Sequence, residues 1–171
     1  VLNGYRMANI TAIDAWVNVF HGDLGITLTD TFTTGIFLEA FDTMHAKLFD
    51  GVRHDSGNPY AFVDTIVDHY TKHRIDPTTK TVVFSDSLDM DKAAAIHDYC
   101  KGRIRDSYGI GTNLTNDVGV TPLNIVIKLA RCRTGPDKTW HPVVKLSDDI
   151  GKHTGDSHEL AHCMAVLERS R

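Results

Sequence analysis

Long apolar runs are absent from this chain, and no window approaches the roughly 18 consecutive apolar residues that a membrane-spanning helix needs. Cysteine is scarce: Cys100, Cys132 and Cys163 are widely spaced and form no CxxC pair. That argues against a disulfide framework or a thiolate zinc site and fits a reducing cytosol. A basic excess is missing too; the net charge is −4 and no Lys/Arg run stands out, which argues against a broad nucleic-acid footprint. Linkers, low-complexity stretches and repeats are lacking, so the 171 residues read as one domain with a sizeable core. With 42% apolar and 23% charged residues, the class is an ordinary soluble globular protein. An initiator methionine and a secretory signal are missing as well. The chain opens at Val1, close to a helical spacing (Met7, Ile10, Ile13, Trp16, Val17), which predicts a piece of a longer protein.

What the sequence does have is a rhythm of apolar segments with polar ends. An amphipathic helix over 5–20 stops at His21-Gly22, and Leu24 to Asp30 reads as a short buried strand ending in a carboxylate. Helical spacing resumes over about 33–48, with Ile36, Phe37, Ala40, Phe41, Met44 and Leu48 on one side. Gly51-Val52-Arg53 opens a second strand, and Asn58-Pro59 starts a helix whose apolar face is Phe62, Val63, Ile66, Val67 and Tyr70. Thr81 to Phe84 is a third strand, 89–100 another helix, and Ile104 to Tyr108 a fourth, poorer strand. This alternation predicts an α/β fold of parallel strands with crossover helices, either an open sheet or part of a barrel. After Pro122 the rhythm changes. Asn124–Cys132 and His141–Ser147 are strand-like runs flanking a Thr-Gly-Pro-Asp turn, a hairpin signal, and a helix closes the chain over about 156–169.

In parallel α/β architectures ligands bind at the carboxyl ends of the strands. All four strands finish in polar residues: Thr29-Asp30, Arg53-His54-Asp55-Ser56, Ser85-Asp86-Ser87, and Gly109 to Asn113. The second of these packs a guanidinium, an imidazole, a carboxylate and a hydroxyl into consecutive positions, a cluster costly to bury unpaired. Gly57, Asn58 and Pro59 follow as turn and helix-start residues. Arg53 suits a bidentate grip on a carboxylate or phosphate, the plain alternative being an ion pair with Asp30 or Asp55. Asp55 and Asp86 suit Mg²⁺ held through water, or ribose hydroxyls; the plain alternative is helix capping. Gly109-Ile110-Gly111-Thr112 can cradle a phosphate at a helix start. It lacks the rest of a dinucleotide fingerprint, and no Gly-Lys-Ser/Thr follows to make a P-loop. Lys128 and Lys145 lie in the late strands with the reach to meet a phosphate. Together these groups point to a phosphorylated sugar and an anionic co-substrate.

One motif competes. His158-Glu159-Leu160-Ala161-His162 matches H-E-x-x-H, which on a helix sets two imidazoles and a general-base Glu on one face for zinc-dependent hydrolysis. The pattern is short, ten histidines make a chance match easier, and no third ligand is obvious apart from Glu168. A solvated terminal helix is the simpler reading. His21, His45, His69, His73, His97 and His141 fall on predicted helix surfaces or in turns and suggest no cluster, and Trp16, Phe37, Phe41 and Phe62 read as core.

Taken in order, the segments Gly51 to Pro59, Phe84-Ser85-Asp86-Ser87-Leu88, Ser107 to Thr115 and Lys145-Leu146-Ser147-Asp148 closely resemble the later part of the nicotinate phosphoribosyltransferases. Leu24 to Asp30 and Pro122 to Leu129 agree as well. The related nicotinamide enzymes carry a similar Arg-x-Asp-Ser-Gly-Asn-Pro, but Gly-Ile-Gly-Thr-Asn and Lys-Leu-Ser resemble the nicotinate branch. The resemblance implies residues 1–122 as part of an irregular TIM-like α/β barrel, with the hairpin and terminal helix of 123–171 completing the family's other domain. It implies transfer of ribose 5-phosphate from phosphoribosyl pyrophosphate to the ring nitrogen of nicotinate, with Mg²⁺, coupled ATP hydrolysis and a cytoplasmic homodimer. Asp55 and Asp30 are then the catalytic carboxylates. Arg53, Ser56, Ser85, Asp86, Gly109, Gly111, Thr112 and Lys145 bind substrate, with Arg53 meeting the pyridine carboxylate. The family's Gly-Thr-Arg segment and ATP-phosphorylated histidine are expected upstream of Val1, and the fragment alone is expected to be inactive.

Overall fold

Residues 4–123, 125–133, 136 and 138–168 are described by the computed structural model. After a 3₁₀ turn, α1 (Ala8–Phe20) runs to His21, which leaves the helix in the left-handed conformation at φ 54°. Then come β1 (Ile26–Leu28), α2 (Thr34–Ala40), α3 (Thr43–Leu48), β2 (Gly51–His54) and α4 (Pro59–Lys72). The alternation continues through β3 (Thr81–Phe84), α5 (Met90–Cys100), β4 (Arg105–Tyr108) and a single turn, α6 (Thr112–Thr115). A hairpin of β5 (Arg131–Arg133) and β6 (Trp140–Pro142) precedes α7 (Ser157–Glu168).

The first four strands form one parallel sheet in chain order, so their carboxyl ends line one edge. Successive residues of a strand point to opposite faces. Val52, His54, Val82 and Phe84 therefore share the face covered by the helices, where they meet Phe37, Phe41, Phe62, Ile66 and Ile96 in the main core. Leu28, Arg53, Val83 and Ser107 are in register on the other face, which is half-buried to exposed. Gly51 is needed for this pairing, since a Cβ there would stand 1.8 Å from the Thr81 carbonyl oxygen. A second, smaller core joins Phe32, Val144, Leu146, Cys163 and Leu167, packing α7 against the chain that follows the hairpin.

Several expectations are corrected. The helix expected over 33–48 is two helices, because Phe41 leaves the helical region (ψ 75°) to bury its ring, and Asp42 caps α3 by accepting from the His45 N–H at 3.0 Å. His45 is buried rather than on a helix surface, its ring nitrogens 2.9 Å from Asp42 Oδ1 and 3.0 Å from Asp14 Oδ1. Trp16 is exposed and packs at a tilt against the Phe20 ring instead of entering the core. The run expected over 124–132 forms a ladder only at Arg131–Arg133; residues 125–130, Lys128 among them, are exposed and outside any strand. The second run forms a strand only over Trp140–Pro142, beyond which the Val143 N–H still donates to the Ala130 carbonyl at 3.0 Å. Thr134, Gly135 and Asp137 of the expected turn, and Asn124, lie outside the described residues.

Candidate active site

At the carboxyl edge of the sheet, β1 ends one position before Thr29-Asp30, and both residues are buried. The chain after the hairpin returns to this edge: the Leu146 N–H donates to the Thr31 carbonyl (2.9 Å) and the Ser147 N–H to the Asp30 carbonyl (3.1 Å). That brings Lys145 and Ser147 onto the Asp30 side chain. Oδ2 of Asp30 accepts from Ser56 Oγ (2.6 Å) and Ser147 Oγ (2.9 Å), while the Lys145 ammonium lies 3.0 Å from Oδ1. Burial pushes this carboxyl upward, but Ser56, Lys145 and Ser147 together hold it below its usual range, so it is a carboxylate at neutral pH.

From β2, Arg53 and Asp55 alternate onto the open face. The guanidinium is 44% exposed and stands 3.5 Å from Asp55 Oδ2, so of its two candidate carboxylates Arg53 takes Asp55 alone, and weakly. Lys145 reaches the same oxygen at 3.8 Å, and Ser85 Oγ donates to Asp55 Oδ1 at 2.7 Å. Neither Asp55 nor Asp86 caps a helix. Asn58 does so for α4, accepting from the Tyr60 and Ala61 N–H groups, and Asp89 for α5, accepting from Lys92 N–H. Asp86 instead holds Lys152, whose ammonium also donates to the Asp55 carbonyl at 3.0 Å. At the fourth strand end, Gly109 lies beside Ser85 and its N–H is committed to the Phe84 carbonyl at 2.8 Å. Any phosphate cradle here falls to the N–H groups of Gly111 and Thr112, which open α6.

The structure thus brings Asp30, Arg53, Asp55, Ser56, Ser85, Asp86 and Lys145 into one connected cluster, with Gly109 at its margin and Gly111 and Thr112 on the loop beyond. Sequence reasoning missed Thr34, Ser147, Asp148 and Lys152. Asp148 accepts from Thr34 N–H (2.7 Å) and Thr34 Oγ1 (2.5 Å), and its own N–H donates to Ser56 Oγ at 3.1 Å. Thr34 and Asp148, together with Ser56 and Asn58, line a cleft of about 310 Å³ beside the cluster. Ser147 and Asp148 lie beside Lys145 in the Lys-Leu-Ser-Asp segment, a signal of proximity; Lys152 carried none. Thr33 and Ser147 have φ of 90° and 64°, conformations that non-glycine residues adopt at a cost and that concentrate at functional sites.

The H-E-x-x-H residues are occupied differently. On α7, Glu159 accepts from the Tyr5 hydroxyl and His162 packs edge-on against the Tyr5 ring, while His158 is exposed. Among the described residues no three His, Cys, Asp or Glu side chains are grouped as metal ligands.

Comparison with known proteins bears on this geometry. A model of the nicotinate phosphoribosyltransferase family matches residues 2–170. The nicotinate phosphoribosyltransferase of Desulforapulum autotrophicum is 76% identical over 169 residues, which cover 99% of this chain and 43% of that protein. The crystal structure of nicotinate phosphoribosyltransferase from Porphyromonas gingivalis matches with a TM-score of 0.93 at 50% identity, covering 98% of this chain and 43% of that one. The enzyme from Vibrio cholerae gives 0.88 at 39% identity, covering 96% and 40%. The chain therefore spans less than half the length of these relatives.

Proposed function

The chain belongs to the nicotinate phosphoribosyltransferase family, and from that premise we propose that the whole protein transfers ribose 5-phosphate from phosphoribosyl pyrophosphate to nicotinate. The ring nitrogen of nicotinate supplies the electron pair for the new bond to the anomeric carbon, pyrophosphate leaves with the pair of the broken bond, and nicotinate mononucleotide results. The observation that carries this reading is the pairing of an exposed Arg53 with Asp55 on the open face, beside the partly exposed Lys145 that is held by the buried Asp30. Arg53 meets the nicotinate carboxylate bidentately. Asp55 faces the ribose and stabilises positive charge developing at the anomeric carbon. Asp30 holds Lys145 in place; Ser56, Ser85, Lys145 and the N–H groups of Gly111 and Thr112 receive the sugar phosphate and pyrophosphate, with Gly109 shaping the loop and Asp86 acting through a bound cation.

Asp55 and Asp86 also fit Mg²⁺, because both are partly exposed, hard oxygen donors at the strand ends, at 29% and 21% exposure. When bound, the ion neutralises pyrophosphate charge. ATP coupling, of the kind that groups such enzymes with ligases, rests on the family resemblance together with a phosphorylated histidine expected upstream. In the same reading the four-stranded sheet is part of an irregular barrel, whose interior is the face that carries Arg53, and the full-length protein is a cytoplasmic homodimer. The 171 residues alone then lack turnover.

Replacing Arg53 by Ala in the full-length protein tests the assignment. The lost charge-assisted contact is worth about 2 kcal/mol, so kcat/KM for nicotinate falls about 30-fold. Steady-state kinetics with unchanged kcat/KM would remove Arg53 from the carboxylate role.

A further inference from the structure

Two lysines reach the carboxylates at the strand ends, and both come from one loop. Residues 145–154 are closed on themselves by the Lys145–Thr154 bridge, in which each N–H donates to the other's carbonyl at 2.9 Å. The loop is pinned to the sheet edge by the Ser147 N–H, which donates to the Asp30 carbonyl, and by the Asp148 carboxylate, which accepts from Thr34. Lys145 is committed to Asp30 and Asp55. Lys152 ends a 3₁₀ turn, Ile150–Lys152, that Asp149 caps by accepting from the Gly151 N–H at 2.9 Å. Its ammonium donates to Oδ1 of Asp86 and, at 3.0 Å, to the Asp55 carbonyl. A carboxylate oxygen beyond β3 and a main-chain oxygen beyond β2 thus face one cation.

Those are the hard oxygen donors that a divalent cation also takes. Oδ1 of Asp86 is shared with the Ser87 hydroxyl, which donates to it at 3.0 Å. Mg²⁺ on this oxygen displaces the ammonium outright, and on Oδ2 it meets the positive charge across a single carboxylate. The Lys152 side chain is 34% exposed, so its flexible stem can rotate into solvent while the loop stays closed. We propose, on the reading of Asp86 as a metal carboxylate given above, that Lys152 is a built-in competitor of Mg²⁺, an ammonium that holds Asp86 until the metal takes it. The carboxylate is then oriented and charge-balanced before the metal arrives. Mg²⁺ is retained only against the return of the lysine, and the displaced ammonium is free for the anion that accompanies the metal.

The test uses the full-length protein without nucleotide and the variants K152M, K152Q, K152R and D86N. Mn²⁺ is titrated, its free ion is read by electron paramagnetic resonance, and Mg²⁺ is added to displace it. K152M removes the charge at similar length and is expected to bind Mg²⁺ about tenfold more tightly, as loss of a positive charge beside the ion implies. K152Q follows K152M, whereas K152R keeps the charge and binds as the wild type does. D86N binds weakly with either Lys or Met at position 152, so the gain from K152M disappears in the double variant. A lysine that only ties the loop down gives the opposite sign, weaker binding in K152M with a lowered thermal midpoint, and that result overturns the inference. So does equal affinity in K152M and the wild type while D86N binds weakly, an outcome that leaves Asp86 a metal carboxylate. Undetectable binding in both at millimolar Mn²⁺ overturns it as well. Wild-type affinity in D86N removes Asp86 from the metal and the inference with it. Should K152M not fold, K152Q set against K152R decides.

Discussion

Asp30 is 1% exposed, and its side chain is held by a lysine and a serine from a stretch more than a hundred positions further on, together with Ser56. Removing the charge in Asp30→Asn leaves Lys145 with only the more distant Asp55 Oδ2 at 3.8 Å. Breaking a buried ion pair costs about 3–5 kcal/mol; here Lys145 keeps some access to solvent, so the expected loss is about 2 kcal/mol at neutral pH. The pH dependence follows from the direction of the shift. The Asp30 carboxyl lies below its ordinary value of 3.8, so its ionised form stabilises the fold above about that pH, and the contribution disappears as pH falls through the lowered value. Urea unfolding of the wild type and Asp30→Asn should therefore differ at pH 7 and converge towards pH 3. A constant difference would assign the effect to packing. From the sequence Asp30 was legible as a carboxylate at a strand end, but its partners were not, because contacts closed over a hundred residues leave no local pattern.

Elements were legible where punctuation and periodicity agreed. The start of α4 is the clearest case: Asn58 and Pro59 stand where a cap and a first helical position belong, and Asn58 Oδ1 does accept from the Tyr60 and Ala61 N–H groups at 2.9 and 3.1 Å. Asn58→Ala should cost about 1 kcal/mol, measured by urea unfolding, whereas Asn58→Asp retains the acceptor and the stability. An unchanged midpoint for the Ala variant would show that Pro59 and packing define the helix start without the cap. Where apolar spacing ran on without punctuation, as from Ile36 to Leu48, the break at Phe41-Asp42 was invisible. It is set by a buried phenyl ring and by an aspartate that caps the next helix. A β-branched run such as Ile125 to Ile127 looked like a strand, yet a strand is defined by its ladder, and the described residues supply no partner for those positions.

At the scale of the molecule, the alternation of strand and helix foretold the parallel sheet and the edge where the polar groups converge. It could not foretell that the chain after the hairpin folds back onto that edge with Lys145, Ser147, Asp148 and Lys152. Parallel sheets are ordinarily covered on both faces. Here the helices cover one, while the other carries Arg53, Arg105 and Ser107 in exposed positions. The stretch before β5 adds Leu123 at 87% and Ile127 at 93% exposure, with Val118, Ile125 and Leu129 close behind. Soluble monomers rarely leave contiguous apolar surface of this kind open, and unpaired strand edges at β1 and β4 compound it. The isolated 171-residue polypeptide is therefore expected to self-associate at micromolar concentration, seen as a spread of fast-sedimenting species by analytical ultracentrifugation. Replacing Leu123, Ile125 and Ile127 together by Thr should raise the monomer fraction without shifting the thermal midpoint, since none of the three contributes to either buried cluster. A clean monomer from the unmodified polypeptide would mean that these side chains find cover within the chain itself. A lowered midpoint in the substituted one would locate that cover against the folded sheet.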